Sequence, residues 1–236
     1  MSNIRLLIAD TLHNSEKISL KKDDAHYLVN VMKVRHGDVI KAYNERDGEW
    51  FCKMELENKR NIFLIPFEKT DNSLRKSKVI LSFALLKRQN NSLIIQKATE
   101  LNVREIYPLI TDRTIVKNIN IDKLNIVAKE ASEQCGRLDI PKIHNILDIG
   151  KLLNMAKNKN FIICHNCSDA ISILDLREKI DYNEDTILLI GPEGGFSSEE
   201  IDMFEHLNIT FVKLGKYTLR AETAIIAAIF TIQNLY

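Results

Sequence analysis

Three glycines, a proline and a glutamate crowd into "GPEGG", Gly191 to Gly195, between the apolar run "TILLI" and the helix-forming stretch "SSEEIDMF". Glycine belongs where the backbone bends sharply or lets something approach closely, so the cluster marks either a tight turn or a ligand cradle. A plain turn needs one or two glycines, whereas Gly191, Gly194 and Gly195 together leave backbone N–H and C=O groups available to a ligand. The stretch has neither the G-x-G-x-x-G spacing of a dinucleotide fingerprint nor the Lys-Ser/Thr ending of a phosphate-binding P-loop, so the ligand need not present a nucleotide phosphate. Ser197 and Glu200 fit a capping box that opens the next helix, which explains them without a ligand.

"LGKYTLRAETA", Leu214 to Ala224, repeats the arrangement of strand, glycine, short loop and helix. Glu222 in a first helical turn is favoured by the helix dipole and reads as capping. Arg220 is disfavoured at a helix N-terminus, and an anionic partner, carboxylate or phosphate, accounts for it better. "CHNC", Cys164 to Cys167, has the C-x-x-C spacing of half a zinc site or of a redox pair. A tetrahedral metal site needs two more ligands and a redox pair normally opens a helix, so structural or incidental cysteines are the preferred reading and no metal is expected. In "EASEQCGR", Glu130, Glu133, Gln134 and Arg137 lie off the core face and read as a solvated helix end. Arg113 and Lys117, with Lys87 and Arg88, either add positive charge near a sheet edge or scatter over the surface.

The elements that must position these residues fall into two patterns. From Ile4 to about Lys69 short strands, "RLLIA", "DVIKAY", "EWFCKMEL" and "NIFLIPF", are separated by turn sequences, which predicts a small β-barrel or curled sheet. One helix interrupts it, with Asp23 or Asp24 as N-cap and Leu28, Val31 and Met32 on one face. "KTDNSLRKSK", Lys69 to Lys78, is polar and aperiodic like a linker, and a boundary near Asp71 to Lys76 gives domains of residues 1–72 and 73–236. Beyond it, "VILSFALL", "REIYPLI", "FIIC", "TILLI" and "ITFVKL" alternate with amphipathic helices. One of these repeats Leu124, Val127, Ala128, Ala131 and Cys135 at helical spacing up to a C-capping Gly136, and the last is alanine-rich. That alternation predicts an α/β fold with a mainly parallel sheet. Four of the eight glycines then fall just after strands, at the carboxyl edge where open α/β sheets bind ligands.

Thirty-three basic and thirty-two acidic residues give a net charge of +1, which neither announces a nucleic-acid binder nor excludes a local basic patch. No apolar run approaches the roughly 18 residues of a membrane span, and Met-Ser-Asn-Ile-Arg lacks the apolar region of a secretion signal. A cytoplasmic protein with no membrane partner is expected. Four cysteines make no disulfide framework, and reduced thiols are expected.

Taken together, "GPEGGFS", "LG" followed by "LRAETA", "QKATEL" and "EASEQCGR" followed by "IP" resemble the type E small-subunit enzymes, the 16S rRNA uridine-N3 methyltransferases within the knotted SPOUT superfamily. "HYLVNVM" and Gly37-Asp38 extend the resemblance into the first domain. It implies a PUA-like β-barrel RNA-binding domain followed by a SPOUT trefoil-knot α/β methyltransferase domain. It also implies a homodimer, with 16S rRNA in the small ribosomal subunit as partner. S-adenosylmethionine would be held by Ile190, Gly191, Glu193, Gly194 and Gly195, by Leu214, Gly215 and Leu219, and by Cys164 and His165 after "FIIC". Methyl transfer from a sulfonium needs an aligned nucleophile and loss of the uracil N3 proton, and requires neither a metal nor a covalent enzyme nucleophile. The resemblance assigns Arg220 to orienting the target nucleotide or stabilising its anionic ring, and Glu222 to positioning Arg220 or assisting proton removal. Arg5, Lys33, Arg35 and Arg113 are candidate phosphate contacts. The chain departs from the family pattern at Lys87-Arg88-Gln89-Asn90, at Asn102 and at Lys33, positions that touch RNA contacts or local turns rather than the cofactor loops. A SPOUT enzyme with another RNA acceptor, a non-catalytic RNA- or ribosome-binding protein, and an enzyme acting on a phosphorylated metabolite are the alternatives.

Overall fold

The computed structural model describes residues 4–58, 61–70, 72–73, 76–87, 90–205, 207 and 209–236. Part of the expected linker boundary (Asp71, Leu74, Arg75) and Arg88 lie outside the described residues. The chain divides into two compact units, Met1–Arg75 with Ser132–Asp139, and Lys76–Ala131 with Ile140–Tyr236.

In the first unit, β1 (Arg5–Leu7), β2 (Ile18–Ser19), β3 (Val39–Asn44), β4 (Gly48–Leu56) and β5 (Ile62–Lys69) form one sheet in the order β1-β3-β4-β5-β2. Only β1 and β3 run parallel. The end strands β1 and β2 do not pair with each other, so this is the curled sheet of the two anticipated forms, bent by a bulge between Phe51 and Cys52. Alternate residues Ile40 and Ala42, Cys52 and Met54, and Ile62 and Leu64 fill its core with Leu6, Leu12 and Leu28.

The helix of this unit differs from expectation. α1 (Lys22–His26) has Lys21 as N-cap with no side-chain capping bond, and it continues into a π-turn over Tyr27–Val31, closed by Met32 N–H donating to the Tyr27 carbonyl at 2.9 Å. The wider turn inserts a residue relative to an α-helix, so the shared face of Leu28, Val31 and Met32 is lost. Leu28 is fully buried, while Val31 and Met32 are 58% and 37% exposed.

Arg5 is buried in this unit, so its expected contact with RNA phosphate is corrected by the structure. Its Nε donates to Glu49 Oε1 at 2.6 Å, Nη1 to the carbonyls of Ser132 at 2.8 Å and Glu133 at 3.0 Å, and Nη2 to the Arg137 carbonyl at 3.2 Å. The guanidinium also lies 4.2 Å over the Tyr43 ring. Lys41 Nζ approaches Glu49 Oε2 at 3.2 Å. Burial raises the Glu49 pKa, but the hydrogen bonds and charges of Arg5 and Lys41 outweigh it and hold the carboxyl below its ordinary 4.5. Of the four residues expected to form a solvated helix end, Glu130 and Gln134 are exposed, but Arg137 clasps Asp139 through two bonds, and Glu133 Oε1 accepts from Leu7 N–H.

The second unit holds an eight-stranded sheet in which every pair is parallel. Its elements in chain order are β6 (Val79–Ala84), α2 (Asn90–Glu100), β7 (Glu105–Ile110), α3 (Ile121–Cys135), β8 (Lys142–Ile143), β9 (Leu147–Asp148), α4 (Ile149–Met155), β10 (Asn160–Cys164) and β11 (Ile171–Ser172). A 3-10 turn (Ile173–Glu178), β12 (Thr186–Ile190), α5 (Ser198–Glu205), β13 (Thr210–Lys213) and α6 (Ala221–Gln233) complete it. The strand order is β11-β13-β10-β12-β6-β7-β8, with β9 also on β7. Helices cover both faces, which is why the central strands are apolar without alternation. Leu81, Phe83, Ile162, Leu188 and Ile190 pack under α2 and α6, and Ile80, Leu109, Ile163, Ile187 and Leu189 pack with Leu152 of α4 and Phe204 of α5. In α3, Leu124, Ala128 and Ala131 are buried as the spacing predicts, but Cys135 in the last turn is exposed. Gly136 follows at φ +86°, the left-handed C-cap conformation.

Because Arg5 and Glu49 satisfy each other away from water, Arg5→Ala is expected to destabilise the first unit by about 3–5 kcal/mol. Lys17→Ala, at an exposed pairing with Glu55 and Glu57, should leave the unfolding midpoint almost unchanged. Glu49 has a depressed folded pKa, so its contribution is present above 4.5 and is lost as the pH falls through the folded value. Urea unfolding at neutral and acid pH checks both statements: the Arg5→Ala penalty should shrink on acidification.

Candidate functional site

The site is set by where three neighbouring strands stop. In the register of β13, β10 and β12, Val212 stands beside Cys164 and Cys164 beside Ile190, so the loops that follow leave the sheet side by side at its carboxyl edge. On one side of the central β10, Cys164 and His165 join Val212, Leu214, Gly215, Tyr217, Leu219 and Ala224 in lining a cleft of about 110 Å3.

Of the expected cofactor residues, Cys164, His165, Leu214, Gly215 and Leu219 therefore converge, whereas Ile190, Gly191, Glu193, Gly194 and Gly195 lie outside that lining. Ile190 is the buried last residue of β12. Each glycine of "GPEGG" has an account inside the protein. A side chain at Gly191 would come within 3.0 Å of the Phe196 ring, and one at Gly194 within 3.3 Å of Arg113 Cβ. Gly195 takes φ +69° and closes a turn by donating to the Pro192 carbonyl at 2.9 Å. The N–H groups of Glu193 and Gly194 make no hydrogen bond with a described residue. Gly215 shares with Gly195 the absence of any atom within 4 Å of a built Cβ, but without the left-handed φ that makes a side chain at Gly195 strained. Its absent side chain leaves open space at the cleft.

Residues Gly215 to Arg220 are exposed throughout, and Gly215 to Leu219 make no hydrogen bond or ion pair with a described residue. Arg220 is the N-cap of α6 in extended conformation (φ −63°, ψ 151°) and its side chain does not cap the helix. Its guanidinium has no partner among the described residues. Glu222 is half-buried in the first turn of α6, and no ion pair joins it to Arg220.

His165 and Cys164 are shaped by burial. The imidazole stands edge-on to Phe196 and Phe211, each with ring centroids at 6.2 Å, and burial pushes its pKa below 6.5 toward the neutral form. Burial pushes the Cys164 thiol up to about 12, the opposite of what a redox or metal thiolate requires. No group of three or more His, Cys, Asp or Glu side chains suited to a metal ion occurs among the described residues.

In the segment 111–114, after β7, sequence reasoning named Arg113 but missed the anchoring made by Asp112 and the two threonines. Arg113, expected on RNA phosphate, donates from Nη1 to the Gly194 carbonyl at 2.9 Å. Asp112 N–H donates to Glu200 Oε1 at 2.9 Å, and Ser197 Oγ donates to Asp112 Oδ2. Ser197 and Glu200 also form the expected capping box, with Ser197 N–H to Glu200 Oε2 at 2.8 Å and Glu200 N–H to Ser197 Oγ at 3.3 Å. Thr111 and Thr114 close the segment on itself. The only local hint was "TDRT", a polar cluster ending an apolar strand. Lys33, at φ +58°, and Arg35 are exposed and their side chains make no bond with a described residue.

Known proteins share this framework. Residues 73–233 match the RNA methyltransferase domain, and residues 20–67 match the RNA methyltransferase PUA domain. Ribosomal RNA small subunit methyltransferase E of Rickettsia conorii is 32% identical over 235 residues, covering 98% of this chain and 95% of that protein. The fold matches the crystal structure of a ribosomal RNA small subunit methyltransferase E from Neisseria gonorrhoeae bound to S-adenosyl methionine. That match has a TM-score of 0.86 at 23% identity and covers 99% of this chain and 98% of that one. A Legionella pneumophila structure described as a methyltransferase in complex with the bound cofactor SAM matches with a TM-score of 0.84 at 26% identity, over 99% and 98% of the two chains. A full-length match of this kind, in both domains, makes the chain a member of the ribosomal RNA small subunit methyltransferase E family.

Proposed function

We propose that the carboxyl edge of the eight-stranded sheet transfers a methyl group from S-adenosylmethionine to N3 of a uridine in 16S rRNA of the small ribosomal subunit. The observation that carries this reading is the exposed segment Gly215 to Leu219, with its backbone groups unbonded, leading directly into an unpartnered Arg220.

The residues fit the cofactor. Val212, Leu214, Leu219 and Ala224 offer apolar walls to the faces of an adenine, and the unbonded N–H and C=O groups of the segment offer both donors and acceptors to its edge. Gly215 keeps the space clear. A volume of about 110 Å3 lies below the roughly 300–1,000 Å3 of most ligand pockets, so the cleft suits a ring-sized portion. The free N–H groups of Glu193 and Gly194, on the neighbouring loop of Ile190, Gly191 and Gly195, suit the polar remainder.

When bound, S-adenosylmethionine supplies an electrophilic methyl group on a sulfonium. Uracil N3 carries a proton that must leave as N3 becomes the nucleophile, and the ring gains negative charge as it does so. Arg220 presents a guanidinium with no internal partner to orient the nucleotide and stabilise that charge. Since Glu222 makes no ion pair with Arg220, its proposed part is to take or relay the N3 proton. His165, held neutral by burial, adds no second positive charge beside the sulfonium. Lys33 and Arg35 remain proposed phosphate contacts, and Arg113 keeps its remaining donors for such a role while Nη1 holds Gly194. Family membership supports a homodimer, a trefoil knot formed by the 191–195 and 214–219 segments, and action in the cytoplasm where ribosomes are assembled.

The first test is incubation of the protein with labelled S-adenosylmethionine and small subunits lacking N3-methyluridine, followed by nucleoside mass spectrometry of the 16S rRNA. A gain of N3-methyluridine is expected. Cofactor binding without that gain would point to another RNA acceptor, and no cofactor binding would favour a non-catalytic RNA-binding protein. Arg220→Ala should lower kcat by about 100- to 1,000-fold while leaving cofactor affinity within about twofold. Gly215→Val should do the reverse of a folding mutation: cofactor binding by calorimetry is lost, and the melting temperature is unchanged because the new side chain enters open space.

A further inference from the structure

Tyr217 is 78% exposed, the highest value for any large hydrophobic side chain among the described residues. Isolated exposed rings are ordinary on protein surfaces and need no account. This one borders the cleft that Cys164, His165, Gly215 and Leu219 also line. Lys216 Nζ lies 5.9 Å from the centroid of the ring, over one face. Lys216 and Arg220 are both exposed, and neither makes an ion pair with a described residue.

An exposed aromatic ring with one cation over its face and a second cation three residues on in the chain, at the mouth of the proposed catalytic cleft, matches single-stranded nucleic acid: bases stack on the ring and phosphates meet the cations. A ring that capped the cofactor adenine would instead pack over the cleft walls and lose most of its exposure. The acceptor nitrogen of uracil lies on its pairing edge, so the base must leave its stack to be methylated, and a stacking surface beside the site replaces what is lost.

We infer that Tyr217 is a stacking platform for an unstacked base of the ribosomal RNA at the methyl-transfer site, with Lys216 taking an adjacent phosphate. This inference rests on reading the carboxyl edge as an RNA methyl-transfer centre.

Wild type, Tyr217→Ala and Tyr217→Phe are compared at one fixed salt concentration. The readouts are affinity for small subunits lacking N3-methyluridine and for a single-stranded oligouridylate, KM for the subunits, and cofactor affinity by calorimetry. Tyr217→Ala is expected to weaken RNA affinity, measured without cofactor, and to raise the subunit KM by about 10- to 100-fold, a larger loss than in cofactor affinity. Tyr217→Phe, which keeps the ring, should restore both RNA values. The inference is overturned by RNA affinity in Tyr217→Ala within about twofold of wild type, by a defect confined to cofactor affinity, by a Tyr217→Phe as impaired as the alanine variant, or by a wild type that binds neither RNA. Affinity is read independently of turnover. A wild type that binds RNA without transferring a methyl group refutes the proposed reaction, and the affinity ratio still decides the role of Tyr217.

Discussion

The parallel register of β13, β10 and β12 is the constraint on which the rest depends. Parallel strands send all their outgoing loops from one edge, and Val212, Cys164 and Ile190 end level with one another. At a strand spacing of about 4.8 Å, two steps bring the outer chains of this trio within roughly 10 Å. A slip of one residue would turn Ile162 and Leu188 toward the opposite helix layer and Ile163 and Leu189 away from it. Since those residues are packed on both faces, the register is held from above and below at once. The loops inherit that accuracy.

Beyond the strand ends the two loops proposed to hold the cofactor are built differently. The 191–197 loop is tied down by polar contacts: Arg113 on the Gly194 carbonyl, Asp112 on Ser197, and Glu200 receiving both the Asp112 and Ser197 N–H groups. Phe196 fills the space that a side chain at Gly191 would occupy. The 215–219 loop is anchored at its ends, by β13 and by α6, and between them makes no hydrogen bond with a described residue. Few contacts and an exposed backbone are the signature of a segment of low local stability.

What could be read from the sequence follows the range of the forces involved. Val79–Ala84 and Thr186–Ile190 were legible because an apolar run between turn signals states its own burial. The two-residue strands Ile18–Ser19, Lys142–Ile143, Leu147–Asp148 and Ile171–Ser172 have no pattern of their own and exist only through their partners. The Ser197–Glu200 capping box was legible because its bonds span three residues, but the bond from Asp112 to the same Glu200 spans 88. The π-turn at Tyr27–Val31 defeated the helical pattern because apolar residues at α-helical spacing do not reveal an inserted residue.

Arg5 and Arg220 show why a residue type alone does not locate a binding site. Both are arginines beside apolar segments, and both were read as candidates for contact with RNA. A guanidinium has five donors, and its fate turns on how many acceptors the fold supplies. Arg5 receives a carboxylate and three carbonyls within 3.2 Å, with an aromatic ring beneath it, and is thereby spent on structure. Arg220 receives none from a described residue and is exposed, which costs a cation little. In the proposed reaction a bound substrate would desolvate this cation, and the negative charge that develops on the uracil ring would then pair with it. On that proposal the fold leaves Arg220 without a partner among the described residues where the reaction would supply one. A residue whose pairing is deferred to the transition state contributes to rate rather than to ground-state binding.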